Sequence, residues 1–66
     1  MMFYRIIIDH DNLEIVLYAD HKRYRNCELI ETDFTDDDSL DTIYYYMNDM
    51  GYECDPFIQE MFNNNY

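Results

Sequence analysis

The chain has no lysine or arginine after Arg25, and this one-sided charge constrains how its C-terminal part can fold. Residues 1–25 hold four acidic and four basic side chains, whereas residues 26–66 hold eleven acidic side chains and therefore the whole net charge of −11. Like charges repel one another and weaken a compact state. Within the chain, only the bases of residues 5–25 can pair with these carboxylates, so a partner with a basic surface is the natural source of compensation.

Length and composition indicate one small folded domain, spanning residues 1–66. A chain of 66 residues buries only about 60% of its unfolded surface, so we expect no deep catalytic pocket and no enzymatic activity. The apolar content of 48%, with eight tyrosines and four phenylalanines, is too high for a disordered acidic tail. The N-terminal residues lack a signal-peptide pattern, and the longest apolar run is too short to span a bilayer, which predicts a cytoplasmic protein.

Two apolar segments predict a β-hairpin. Residues 3–8 are β-branched and aromatic, as strands favour, and residues 13–18 place Leu13, Ile15 and Leu17 on one face. The polar residues between the two segments are typical of a turn. After a polar and basic loop, residues 27–32 predict a third strand.

A helix from residue 36 to 50 is predicted in the acidic part of the chain. Thr35 is the expected N-cap, acidic residues follow in the first turn, and Gly51, the only glycine, is suited to the C-terminal end. An apolar stripe at helical spacing supports this helix and consists of Leu40, Ile43, Tyr44, Met47 and Met50.

A second, short helix is predicted to start at Pro56, with Asp55 as its N-cap, and to run through Phe62 before a frayed end. The expected fold is therefore α+β. It is a small antiparallel three-stranded sheet, a hairpin plus a third strand, packed by one main helix and a short C-terminal helix.

Cysteine and histidine spacing predicts no metal, cofactor or catalytic residue. Cys27 and Cys54 are expected to be buried thiols in a reducing cytosol, with a Cys27–Cys54 disulfide as the alternative. His10 lies between two aspartates and His21 across the hairpin, but with no cysteine nearby and no H-x-x-x-H spacing we expect no zinc. The aspartates of residues 33–41 lack the pattern and the glycine of a calcium loop.

The acidic side chains after Arg25 are the main candidates for function. On the predicted first helix they avoid the apolar stripe, and a tyrosine among them would add apolar area and a hydroxyl to a charged contact. Duplex DNA carries about one charge per 1.7 Å of axis, so a row of carboxylates can present a comparable negative surface. The alternative is an acidic face that only confers solubility. The predicted partner-binding residues are Asp37, Asp38, Asp41, Tyr45, Asp49, Tyr52, Glu53, Asp55 and Glu60.

In size, acidity and aromatic content the chain resembles small phage-encoded inhibitors of host nucleic-acid enzymes, such as anti-CRISPR proteins and inhibitors of uracil-DNA glycosylase or restriction enzymes. The resemblance implies a DNA mimic that occupies the basic groove of a nucleic-acid-binding protein, such as a Cas effector or another host defence nuclease, in the host cytoplasm. The acidic charge disfavours direct binding to nucleic acid or to anionic membranes. Two alternatives stay open: an immunity protein or antitoxin that neutralises a basic toxin, and a structural or assembly subunit. The active species would be a monomer or a small homo-oligomer.

Overall fold

The fold is α+β, with a four-stranded mixed sheet and two helices, in a computed structural model that describes residues 3–22 and 25–65. The strands, in the spatial order β3-β1-β2-β4, are β1 (Tyr4–Asp9), β2 (Glu14–Leu17), β3 (Cys27–Thr32) and β4 (Glu53–Cys54). The α-helices are α1 (Asp37–Tyr44) and α2 (Pro56–Asn65), with a 3₁₀ turn at Tyr18–Asp20 and a π-helical segment, Tyr45–Asp49, that continues α1. None of the described helices is long and apolar enough to cross a membrane.

The predicted antiparallel three-stranded sheet is only part of the observed one. β1 pairs antiparallel with β2 on one side and with β3 on the other, which confirms the hairpin and the third strand. The correction is β4, which pairs with β2 in parallel: the Glu53 N–H donates to the Leu13 carbonyl at 3.0 Å and the Asp55 N–H to the Ile15 carbonyl at 2.9 Å. A strand of two residues is too short for the alternation by which a sequence reveals strands, so it was missed.

The hairpin turn extends one residue further than predicted. The side chain of Asp9 accepts hydrogen bonds from the backbone N–H groups of Asp11 and Asn12 at 3.0 and 3.1 Å, which folds the chain back. Leu13 then adopts a left-handed conformation with φ of 56° and is 55% exposed. Leu13 therefore belongs to the turn and not to the apolar face of β2.

Successive residues of β1 point to opposite faces of the sheet. Ile6 and Ile8 face the helices and are fully buried. They form the core together with Ile15, Phe34, Leu40, Ile43, Tyr52, Ile58 and Phe62. Arg5, Ile7 and Asp9 consequently lie on the opposite face.

The connection from β2 to β3 runs along this opposite face. Because β2 and β3 lie on either side of β1, the chain between them has to cross β1. The guanidinium carbon of Arg5 lies 5.7 Å from the ring centre of Tyr18, and His21 Nε2 lies 2.9 Å from Asp9 Oδ2. Ile7 is 2% exposed although it points away from the helices. The described part of the crossover connection, residues 18–22 and 25–26, thus contacts β1 at both ends of its outer face.

The first helix and the π-helical segment together cover Asp37–Asp49 of the predicted 36–50, but the N-cap differs. Asp36, and not Thr35, is the N-cap, since its carboxylate accepts the Asp38 N–H at 3.1 Å. The Thr35 hydroxyl instead donates to Asp33 at 2.6 Å. The π-helical segment ends at Asp49 with Met50 as its C-cap, and Gly51, whose φ is 73°, is the predicted left-handed residue that follows.

The second helix begins as predicted, because the Asp55 carboxylate accepts the Phe57 N–H at 2.8 Å and Pro56 opens the helix. The helix continues to Asn65, so the expected fraying of residues 63–65 is wrong. Residue 66 lies outside the described residues.

The predicted apolar stripe of the first helix is buried only in part. Leu40 and Ile43 are buried and Met47 packs against the core, but Tyr44 and Met50 are 39% and 52% exposed. Met50 follows the π-helical segment, and its N–H donates to the carbonyl five residues earlier at 3.0 Å. This wider turn changes the helical period, so Met50 leaves the face on which the stripe lies.

Candidate functional site

Five of the predicted partner-binding residues form one exposed surface on the first helix. Asp38, Asp41, Tyr45 and Asp49 follow one another at spacings of three or four residues, which places them in a row on one face, and Asp37 lies beside them. All five are exposed, Tyr45 by 47%. With a rise of up to about 1.5 Å per residue, the row from Asp38 to Asp49 is at most about 16.5 Å long. We call these five residues the acidic column.

The helix dipole explains the positions of Asp37 and Asp38 but not those of Asp41 and Asp49. Asp37 and Asp38 lie in the first turn of α1, where the helix dipole favours negative charge. Asp41 lies three and four residues after them, a spacing at which like charges cost a helix about 0.2–0.5 kcal/mol per pair. Asp49 lies at the C-terminal end, where the dipole disfavours a carboxylate, and accepts only a 3.3 Å contact from Asn48. Asp49 is thus placed against the preference of its own helix.

The remaining predicted residues lie on other elements. Glu53, on β4, is the register partner of Glu14 on β2, so two like charges are adjacent. Asp55 caps α2, and Glu60 is exposed on the same helix. Tyr52 does not fit the predicted contact surface, because it is 8% exposed in the core and its hydroxyl lies 2.8 Å from His10 Nδ1. We therefore exclude Tyr52 from the candidate surface.

Among the residues that the structure describes, two carboxylates lie within hydrogen-bond distance of a histidine nitrogen. His10 Nε2 lies 2.9 Å from Glu28 Oε1, and His21 Nε2 lies 2.9 Å from Asp9 Oδ2. Glu28 also accepts the hydroxyl of Tyr46 at 3.1 Å, and burial together with this hydrogen bond raises the pKa of Tyr46. These two histidine contacts lie at the ends of the strands, and neither includes a residue of the acidic column.

A buried cluster on the outer sheet face was missed by the sequence analysis. Asp9 and Cys27 are register partners on β1 and β3, and His21 reaches them from the crossover connection. His21 Nε2 lies 2.9 Å from Asp9 Oδ2 and 3.6 Å from Cys27 Sγ, and the three donor atoms all lie within 4.8 Å of one another. The expectation that no cysteine lies near these histidines was wrong, because strand pairing and not sequence spacing brings Cys27 into place. We call these three residues the buried cluster.

Asp9 is an ionised carboxylate in this cluster. Burial alone would raise its pKa, but hydrogen bonds from His21, from Asn12 and from the backbone N–H of Asp11 outweigh burial and lower the pKa to about 2. Since a carboxylate only accepts hydrogen bonds, His21 Nε2 must donate to it.

Both cysteines are free thiols, so the alternative of a disulfide is excluded. Both are also only partly buried, in contrast to the full burial expected. The thiol of Cys27 donates to the Arg25 carbonyl at 3.1 Å. Burial, and to a lesser extent the negative charge of Asp55, raise the pKa of Cys54 to about 11.

The two sites are suited to different chemistry. The acidic column presents negative charge with one aromatic ring, which suits a basic protein surface. The buried cluster brings one oxygen, one nitrogen and one sulfur donor together, which suits a metal ion. No family model, curated protein or solved structure matches the chain.

Proposed function

We propose that the protein is an acidic inhibitor that occupies the basic groove of a nucleic-acid-binding enzyme, such as a Cas effector or another defence nuclease, as a DNA mimic. The observation that supports this proposal most directly is the acidic column. It offers four exposed carboxylates and one exposed tyrosine on a single helical face.

The energetic cost of this arrangement also favours a partner. Asp49 opposes the dipole of its helix, and Glu14 lies opposite Glu53 in the sheet. Each such placement costs a few tenths of a kcal/mol to about 1 kcal/mol in the isolated protein. Lysine and arginine side chains of a partner would turn these repulsions into attractions. A surface that only confers solubility has no need of carboxylates at unfavourable positions.

The dimensions of the column suit a groove that binds nucleic acid. Asp38 and Asp41 are separated by about 4.5 Å of helical rise, and Asp49 lies up to about 12 Å further along. Charges at such intervals can meet a row of basic side chains that otherwise contacts successive phosphates. Tyr45 lies in the middle of the row, where an aromatic side chain contributes most to affinity. The inhibitor would compete with nucleic acid, and salt would weaken its association with the enzyme.

Inhibition of DNA cleavage tests the proposal. Purified Cas effectors and restriction enzymes would be assayed against a plasmid substrate with increasing amounts of the protein, at low and at high salt. The column variant combines Asp37→Lys, Asp38→Lys and Asp41→Lys. The matched control combines Asp11→Lys, Asp20→Lys and Glu31→Lys, three exposed acids outside the column, and changes the net charge equally.

We expect the wild type to block at least one enzyme at low salt, the column variant to lose this inhibition, and the control to keep most of it. Circular dichroism would establish that both variants are folded. Full inhibition by a folded column variant would contradict the proposal. An equal loss in both variants would show that net charge, and not this surface, is responsible.

A further inference from the structure

We propose that the buried cluster is a zinc site, with Asp9 Oδ2, His21 Nε2 and Cys27 Sγ as protein ligands and a fourth position open to a surface cleft. This site lies on the sheet face opposite the helices. The inference does not depend on the proposed inhibition.

Two of the three donor separations are close to those that zinc requires, and the third is at most 4.8 Å. Bond lengths of about 2.0–2.3 Å and tetrahedral angles place the donors of a zinc ion roughly 3.4–3.7 Å apart. His21 Nε2 and Cys27 Sγ are 3.6 Å apart, which needs no adjustment. His21 Nε2 and Asp9 Oδ2 are 2.9 Å apart because a hydrogen bond joins them, and they have to separate by about half an ångström when the metal replaces the proton.

The orientation of the imidazole distinguishes a metal site from a nucleophilic triad. In a cysteine–histidine–aspartate triad, the thiol and the carboxylate contact opposite nitrogens of the ring, so that one orients the other. Here Asp9 and Cys27 both contact Nε2. Three donors that converge on one point suit a shared cation and do not suit a proton relay.

Surrounding groups hold the carboxylate in position. Asp9 is 2% exposed, and its oxygens also accept hydrogen bonds from the Asn12 side chain at 2.9 Å and from the Asp11 and Asn12 N–H groups. Hydrogen bonds of this kind to a metal ligand orient it and help to maintain the affinity for the metal. Since strand pairing joins Asp9 to Cys27, His21 is the one ligand that comes from a connection.

Ligand type and charge select zinc over harder ions. Calcium and magnesium prefer oxygen ligands alone, whereas imidazole and thiolate suit zinc. Zinc binding requires that the Cys27 thiol releases its proton and that His21 Nε2 gives up its hydrogen. One carboxylate and one thiolate then neutralise the dication, so the buried site carries no net charge.

A cleft beside the cluster leaves room for a fourth ligand. Its volume is about 210 Å³, and Asp9 and His21 line it together with Glu14, Asp20 and Lys22. Structural zinc sites have four protein ligands, whereas sites with three keep a position for water or substrate. We infer that water or a small exogenous ligand completes the coordination.

Cobalt substitution tests the site, because Co²⁺ adopts the same geometry and its thiolate bond absorbs in the near ultraviolet. Reduced protein would be titrated with Co²⁺ and then with Zn²⁺, in excess Mg²⁺ so that surface carboxylates are occupied. The ligand variants are Cys27→Ala, His21→Gln and Asp9→Asn. The matched controls, Cys54→Ala and His10→Gln, remove the other thiol and the other imidazole.

We expect one Co²⁺ per chain with a thiolate band that Zn²⁺ displaces. Cys27→Ala abolishes the band, His21→Gln and Asp9→Asn weaken binding by roughly tenfold or more, and the controls bind as the wild type does. Absence of the band in the wild type, or an equal band in Cys27→Ala, would overturn the inference. Equal affinity in all variants would also overturn it and would assign the ion to surface acids.

Alkylation of the wild type gives a second measurement that needs no variant to fold. Zinc should slow the modification of Cys27 by iodoacetamide by at least about tenfold, because a coordinated thiolate is a weaker and less accessible nucleophile. Cys54, on the other sheet face, should react at the same rate with and without zinc. An alkylation rate of Cys27 that is the same with and without zinc would refute the site.

Discussion

Replacing Leu13 by alanine and by glycine tests the left-handed backbone of the hairpin turn. The test is which of the two variants is the more stable. A non-glycine residue in the left-handed region costs about 1–2 kcal/mol, and Leu13 has φ of 56°. Glycine loses about 0.5–1 kcal/mol more conformational entropy on folding than alanine does. Both variants remove the same leucine contacts, so the difference between them isolates the backbone. Leu13→Gly should therefore be more stable than Leu13→Ala by about 0.5–1 kcal/mol.

Urea and thermal unfolding, followed by far-ultraviolet circular dichroism in the presence of EDTA, would measure this difference. For a domain of this size, 0.5–1 kcal/mol corresponds to roughly 2–8 °C in Tm. Ala19→Gly is the control, because Ala19 is exposed in the 3₁₀ turn and has a negative φ. This substitution should destabilise the protein by about 0.5–1 kcal/mol, as glycine usually does in a helical position.

The prediction is that glycine makes the protein more stable than alanine does at residue 13 and less stable than alanine does at residue 19. If Leu13→Ala is at least as stable as Leu13→Gly while Ala19→Gly behaves as expected, the left-handed conformation of Leu13 is refuted. The turn would then resemble the sequence-based expectation, with Leu13 as the first residue of β2.

Three further predictions concern the cap, the second cysteine and the state of association. Asp36→Ala should lower the free energy of unfolding by about 1 kcal/mol and Thr35→Ala by clearly less in the same urea experiment, because Asp36 is the N-cap. The pKa of Cys54 is raised from 9.0 to about 11, so at pH 8 its thiol should react with iodoacetamide about a hundredfold more slowly in the folded protein than in urea. The reaction rate of the folded protein should rise with pH up to about 11. Equal rates with and without urea at pH 8 would contradict the raised pKa. A monomeric DNA mimic should sediment as one species at low and at high salt, whereas a salt-insensitive oligomer would favour an assembly subunit.

Local patterns predicted most of the secondary structure. The ends of the helices were readable because Gly51 and Asp55–Pro56 act through their own backbone and neighbours. The cap at Asp36 was misplaced by one residue, since neighbouring hydroxyl and carboxylate side chains can serve equally well in sequence. The exposed position of Met50 could not be predicted, because the π-helical segment changes the period on which the stripe was counted.

The two candidate sites also differ in whether a local sequence pattern reveals them. The acidic column could be predicted because residues three and four apart on a helix are neighbours in space. Tyr52 was misassigned because it follows the helix, where the chain turns back into the core. The buried cluster depends on the order of the strands and on the path of the crossover connection, and neither has a local signal. The sequence predicts β1 and β3 as separate strands, but it does not show that Asp9 and Cys27 are register partners.

The position of the buried cluster also agrees with the need of so small a domain for stabilisation beyond its apolar core. Both α-helices contribute to the core on one sheet face, while among the described residues it is the crossover connection that covers β1 on the other face. A chain below about 70–80 residues rarely gains enough stability from one apolar core, and metal ions or disulfides commonly supplement it. The two cysteines form no disulfide, and the connection is held against β1 by the contact of Tyr18 with Arg5 and by the hydrogen bond of His21 to Asp9. A metal ion there would fix the connection to two strands at once, on the sheet face away from the helices and therefore away from the acidic column.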